Sequence, residues 1–172
     1  MSKKIYLFLL LAGIVSRGVV CAAAVNISNS AHPSEDVHIA INNAGEIGAV
    51  WLEKVSASNQ QVYFSIRRNG AWSSPAAIRG QSGSNANPVI ARGVNSGFVA
   101  AWHDQTAKCI QFSQYTGSWS TPVTVSQIAG YDLGNPTITT TTNGRVAVAW
   151  QRGNKTFPDI YVTIFKTGWS TP

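Results

Sequence analysis

Two acidic residues recur at one register of this sequence: Glu53 and Asp104 each stand two residues after a tryptophan, Trp51 and Trp102, and Arg152 holds the same place after Trp150. Paired carboxylates on either side of a scissile bond are the machinery of glycoside hydrolysis, one acting as acid and the other as base or nucleophile. His103 and Gln151 lie beside them, so these five residues make the best polar constellation in the chain. Solvation of strand ends accounts for the same residues without any site, and a hydrolase would need one asymmetric centre rather than a repeated position. A second set is aromatic. Trp72, Trp119 and Trp169 lie beside glycine turns, where indole faces could stack on the C–H surfaces of sugars while Arg or Glu fixes the hydroxyls. The same rings could instead be wedges packed between sheets, each filling a volume whose loss would leave a large cavity.

Other chemistry finds no support in the residue spacing. His32, His38 and His103 never stand at metal-ligand spacing from a second His or Cys. His32 and His38 flank Glu35 and Asp36 in a polar stretch expected between the first two strands, and Asp132 is expected in the equivalent loop of the third copy. There is no G-x-S-x-G nucleophile turn. No catalytic residue, metal or cofactor is therefore expected.

The amino terminus reads as a secretory leader over residues 1–24. Lys3 and Lys4 precede the apolar run Ile5 to Val15, and Ala22-Ala23-Ala24 fits a small-residue cleavage site. The apolar run before Arg17 falls short of the about 20 residues that span a bilayer, so no stable membrane insertion is expected after cleavage. The leader holds three of the thirteen basic residues and none of the seven acidic ones, which lowers the formal charge from +6 to 10 minus 7, or +3. The remaining basic residues are scattered, so nucleic acid is not an expected partner. With Cys21 in the leader, Cys109 has no partner for an intrachain disulfide. The address implied is secreted or periplasmic.

The elements that must position any site are repeated. All six tryptophans fall into two series, Trp51, Trp102 and Trp150, and Trp72, Trp119 and Trp169. Each member of the first series ends an apolar strand that follows a turn, Asn43-Ala44-Gly45, Asn95-Ser96-Gly97 or Asn143-Gly144, whose residues tolerate positive φ. The second series carries Gly70-Ala71-Trp72-Ser73-Ser74-Pro75, Gly117-Ser118-Trp119-Ser120-Thr121-Pro122 and Gly168-Trp169-Ser170-Thr171-Pro172. Between them runs a strand of alternating pattern, such as Val62-Tyr63-Phe64-Ser65-Ile66. In the second copy the strands are expected at Pro88 to Ala91, Phe98 to Trp102, Ile110 to Tyr115 and Trp119 to Val125. Nothing has helical periodicity.

The fold class expected is all-β: three four-stranded antiparallel repeats of the β-propeller blade type, at about 29–80, 81–126 and 127–172, making one domain over 25–172. The Trp51, Trp102 and Trp150 column, embedded in apolar strands, is expected in its core. Three blades are fewer than the four to eight of a closed ring. Val25-Asn26-Ile27-Ser28 matches Val123-Thr124-Val125-Ser126, so residues 25–28 could complete the last repeat, and a homo-oligomer formed head to tail could close the ring. A truncated fragment of a longer repeat protein explains the same facts.

The turn, Trp-Ser-x-Pro and strand sequence resembles the repeats of sialidase-like propellers and bacterial propeller lectins over residues 29 to 172. The sialidase Asp-box survives only as Ser65 and Trp72, with Arg67 where the Asp belongs, and the other copies lack a Ser at that distance. Sialidase chemistry, as the resemblance implies it, needs three arginines, a Tyr-Glu pair and an acid Asp, which cannot be named here. The resemblance therefore implies an exported, non-catalytic binding module with a glycan ligand held between blades. The alternative is a structural or protein-interaction propeller.

Overall fold

The computed structural model describes residues 23–81, 83–127, 132–154 and 156–165. Among them there is no helix. The strands form three antiparallel sheets. The first contains β1 (Ser34–Ile41), β2 (Ile47–Ser56), β3 (Asn59–Arg68) and an outer strand split into β4 (Ala71–Trp72) and β5 (Ala76–Ala77), both pairing with β3. The second runs β6 (Asn85–Arg92), β7 (Phe98–Asp104), β8 (Cys109–Tyr115) and β9 (Val123–Gln127), and the third β10 (Asp132–Thr140), β11 (Val146–Asn154) and β12 (Phe157–Phe165). A fourth strand of the third sheet would fall at 166–172, outside the described residues, as do Trp169 and the leader through residue 22.

Several expected boundaries shift. Glu35, Asp36 and His38 belong to strand β1 itself, not to a stretch between the first two strands, and Asp132 opens β10, paired with Gly153. In the second sheet the outer strand begins at Val123, while Trp119 makes only an isolated bridge to Tyr115. Residues 25–28 are not in a strand; they line a cavity with Ser34–Val37 and Trp51 beside the first sheet.

Each first strand carries a bulge at the same register, between Glu35 and His38, Ala86 and Val89, and Gly134 and Thr137. Inside each bulge an Asx residue takes positive φ: Asp36 at 53°, Asn87 at 50° and Asn135 at 48°. Asn and Asp tolerate this region best among residues with a Cβ, and the extra residue locally bends the strand. Asn69 and Gly70, at 50° and 83°, likewise close the β3–β4 hairpin.

The three sheets stack in order, and the alternating faces of the second sheet feed two cores. Val50, Leu52, Val62, Phe64 and Ile66 of the first sheet meet Ile90, Phe98, Ala100, Trp102 and Tyr115 of the second. Val89, Val99, Ala101, Ile110 and Phe112, on the other face, meet Val146, Val148 and Trp150 of the third. Successive strand residues point to opposite faces, so the strands of the second sheet serve two interfaces. The expected core column is buried: Trp51, Trp102 and Trp150 are 2%, 0% and 1% exposed. The stack is open, and the sheets do not close on themselves.

The Trp-Ser-x-Pro motif is what splits the outer strand. Ser73 N donates to Ile66 O, Ile66 N donates to Ser73 Oγ, and the buried Ser65 hydroxyl donates to Ser73 O at 2.8 Å. The second sheet repeats this with Ser120, Gln114 and Ser113, again at 2.8 Å. Ser113 is thus the counterpart of Ser65, one residue nearer its tryptophan than the spacing in the first copy would require. Gln81 then completes the edge of β3, its side-chain amide accepting from Val62 N and donating to Val62 O as a strand backbone would.

Candidate functional site

The expected binding residues separate into two groups at opposite ends of the strands. Trp72 pairs with Arg67, which pairs with Ile47 at the start of β2, whereas Glu53 lies six residues further along β2. At about 3.3 Å per residue that is roughly 20 Å.

At the Glu53 end the expected residues are spread over the three sheets. Glu53, Asp104 and Arg152 occupy equivalent positions, opposite Ser34, Asn85 and Leu133, but on three different sheets. By strand alternation Asp104 shares the face of Trp102, toward the first sheet, and Arg152 that of Trp150, toward the second. Glu53 shares the face of Trp51, away from the second sheet. His103 and Gln151, one residue removed, lie on the opposite faces. Each side chain is also engaged locally. Glu53, 1% exposed, accepts from Trp51 Nε1 at 2.8 Å and from Ser34 Oγ at 3.2 Å. Asp104 accepts from the backbone N–H groups of Thr106 and Ala107, shaping the β7–β8 turn. The Arg152 guanidinium sits 4.6 Å from the Tyr161 ring centre, and Gln151 accepts from Asn135 of the third bulge at 2.8 Å. Among the described residues no group of three His, Cys, Asp or Glu side chains could hold a metal ion. The Cys109 thiol is buried, which pushes its pKa up.

The other end has a cleft. Trp72 and Trp119 line one space of about 690 Å³ between the first two sheets, together with Tyr115, Arg68, Arg79 and Ser118. Trp119 is held there edge-on to Phe64, ring centres 5.0 Å apart at 89°, and 5.4 Å from Tyr115. Its Nε1 is buried with no hydrogen-bond partner among the described residues. Arg68 donates through Nε to Glu46 Oε1 at 2.6 Å, and its guanidinium lies 5.8 Å from the Tyr115 ring centre. Hydrogen bonds from Asn42, and then from Arg68, hold the Glu46 carboxyl below its ordinary pKa. Arg68 and Arg79 were not singled out from the sequence. Arg68 reaches the indoles because it follows Phe64 and Ile66 on the face of β3 that meets the second sheet.

No family model and no curated protein sequence matches this chain. Solved structures do. A sialidase described as Hadza microbial aligns over 79% of this chain and 36% of its own, at 13% identity and a TM-score of 0.56. An α-L-arabinofuranosidase mutant from Fusarium graminearum, in complex with an iminosugar inhibitor, aligns over 80% and 47%, at 11% identity and a TM-score of 0.53. A GH93 α-L-arabinofuranosidase of the same fungus, in complex with arabinobiose, aligns over 76% and 45%, at 13% identity and 0.53. The chain spans less than half the length of each. At these identities the likeness is one of fold: the three sheets follow the propeller-type architecture of carbohydrate-processing enzymes.

Proposed function

We propose that the chain is an exported, non-catalytic β-propeller module, cut free of a leader at residues 1–24, that binds a saccharide in the cleft between its first two sheets. The observation that carries this reading is the pairing of Trp72 and Trp119 in one cleft with Arg79, Arg68 and Ser118 at its walls. An indole face offers a sugar ring an apolar platform, and a few polar groups beside it fix the hydroxyls. The sugar-directed activities of the similar folds point to the same ligand class. The non-catalytic part is supported by Glu53 and Asp104, which are occupied with an indole and a turn rather than facing each other across a substrate.

The test is a glycan array read with the full-length chain, followed by titration of tryptophan emission with the best ligand. Binding that falls at least tenfold in both Trp72→Ala and Arg79→Ala supports the cleft. An array with no ligand, or binding that both variants retain, overturns it. A protein-interaction role is favoured instead by the two exposed apolar faces of the outer sheets, which lead to the next inference.

A further inference from the structure

Each internal interface of the stack is built from the same positions. The third strand of one sheet presents Val62, Phe64 and Ile66, or Ile110 and Phe112, to the first two strands of the next, which answer with Ile90 and Trp102, or Ile138 and Trp150. At the two ends of the stack these halves are left without each other. The third strand of the last sheet exposes Ile160, Val162 and Ile164 by 71%, 53% and 47%, where Val62, Phe64 and Ile66 are 0%, 5% and 5% exposed. On the far face of the first sheet Ile39 is 66% exposed, whereas Ile90, its counterpart in β6, is 8% exposed. Val37 and Ile41 beside it are also exposed. The segment 25–28 covers only the Trp51 end of this face, leaving Ile39 and Ile41 open.

We infer that the Ile160, Val162 and Ile164 face of one chain docks on the Ile39 and Ile41 face of a second copy, head to tail, and that two copies close a ring of six sheets. The occupant follows from the surfaces: the two open faces are the two halves of the interface this chain already makes twice within itself. Because the halves differ, a symmetric face-to-face pairing would match neither, and a heterologous contact that closes on itself leaves no face open. Six sheets lie within the four to eight that propellers use. Contiguous exposed aliphatic rows of this kind mark association surfaces. This inference does not depend on sugar binding.

The experiment is sedimentation equilibrium of the full-length chain from a secreting host, beside Ile39→Glu and Ile160→Glu. Both positions are exposed, so the variants should fold, and circular dichroism with buried-tryptophan emission checks that they do. A two-chain mass for the unmodified protein, with one-chain masses for both variants, is the expected result. A one-chain mass for the unmodified protein overturns the inference, as does a dimer that survives either substitution or a ring of any other copy number.

Discussion

The indole Nε1 of Trp51 donates to Glu53 Oε2 at 2.8 Å, a bond that neither equivalent tryptophan makes with its own repeat partner. Asp104 is shorter by one methylene and accepts from Thr106 and Ala107 instead, while Arg152 offers Trp150 no acceptor. Glu53 is therefore a device for satisfying an indole on the face of the first sheet that no other sheet covers. Glu53→Ala removes the acceptor for both Trp51 and Ser34 and should lower stability by about 1–3 kcal/mol, read as a lower urea midpoint. Glu53→Gln keeps an acceptor and should cost less. Equal losses in the two variants would show that the hydrogen bond carries no weight.

Gly48 of β2 faces Phe98 of the second sheet so closely that a Cβ would lie 2.9 Å from the ring. Phe98 is 1% exposed and packed among Phe64 and Tyr115, so the ring has nowhere to retreat. Gly48→Ala should cost about 1–3 kcal/mol by overpacking. Gly134→Ala, where a Cβ meets nothing within 4 Å, is the control. If both variants melt at the temperature of the unmodified chain, the first two sheets are not packed as closely as this contact requires.

The period of the repeat was legible because tryptophan is rare and large: two evenly spaced columns leave few architectures other than repeated sheets. The turns were legible for the same kind of reason, since Gly45, Asn95 and Gly144 do take positive φ. The bulges were not. Asn87-Pro88 and Asn135-Pro136 mark two of them, but Asp36-Val37 hides the third, and an extra residue breaks the period-2 alternation by which a strand is recognised. The sequence pattern therefore marks β6 only from Pro88, whereas the strand begins at Asn85. Spacing groups Glu53, Asp104 and Arg152 because equal register on successive repeats puts them along one rim of the sheets. The structure keeps them at that register on three successive sheets, with Glu53 and Asp104 each bonded to groups of its own sheet. The Trp72 and Trp119 cleft is half legible: the indoles repeat, whereas Arg68 enters at the end of the inward face of β3 and Arg79 from a turn that no repeat marks.

Ser65 and Ser73 lock the split outer strand to β3 through three hydrogen bonds within one turn of chain. Removing either hydroxyl should cost about 0.5–1.5 kcal/mol. Because they serve one network, Ser65→Ala combined with Ser73→Ala should cost less than the two singles added, with a coupling of about 0.5 kcal/mol or more. Ser113 and Ser120 should repeat the pattern in the second sheet. Strict additivity in both cycles would mean that each serine acts alone.

Glu46 ties the cleft to the hairpin of the first sheet, accepting from Asn42 Nδ2 at 2.8 Å and from Arg68. These bonds hold its carboxyl below the ordinary pKa, so the folded state binds the proton less readily than the unfolded chain. The stability it contributes is present above the ordinary carboxylate value, near 4.3, and is lost as the pH falls through the lowered value of the folded state. Glu46→Gln should thus lower the urea midpoint at neutral pH and differ progressively less from the unmodified chain as the solution is acidified below about pH 4. The same acidification should free Arg68 from Glu46 beside Tyr115 and Trp119, altering tryptophan emission in the unmodified chain but not in the variant. A gap in midpoint that stays constant from neutral to acid pH would detach Glu46 from this linkage and leave Arg68 held in the cleft by Tyr115 alone.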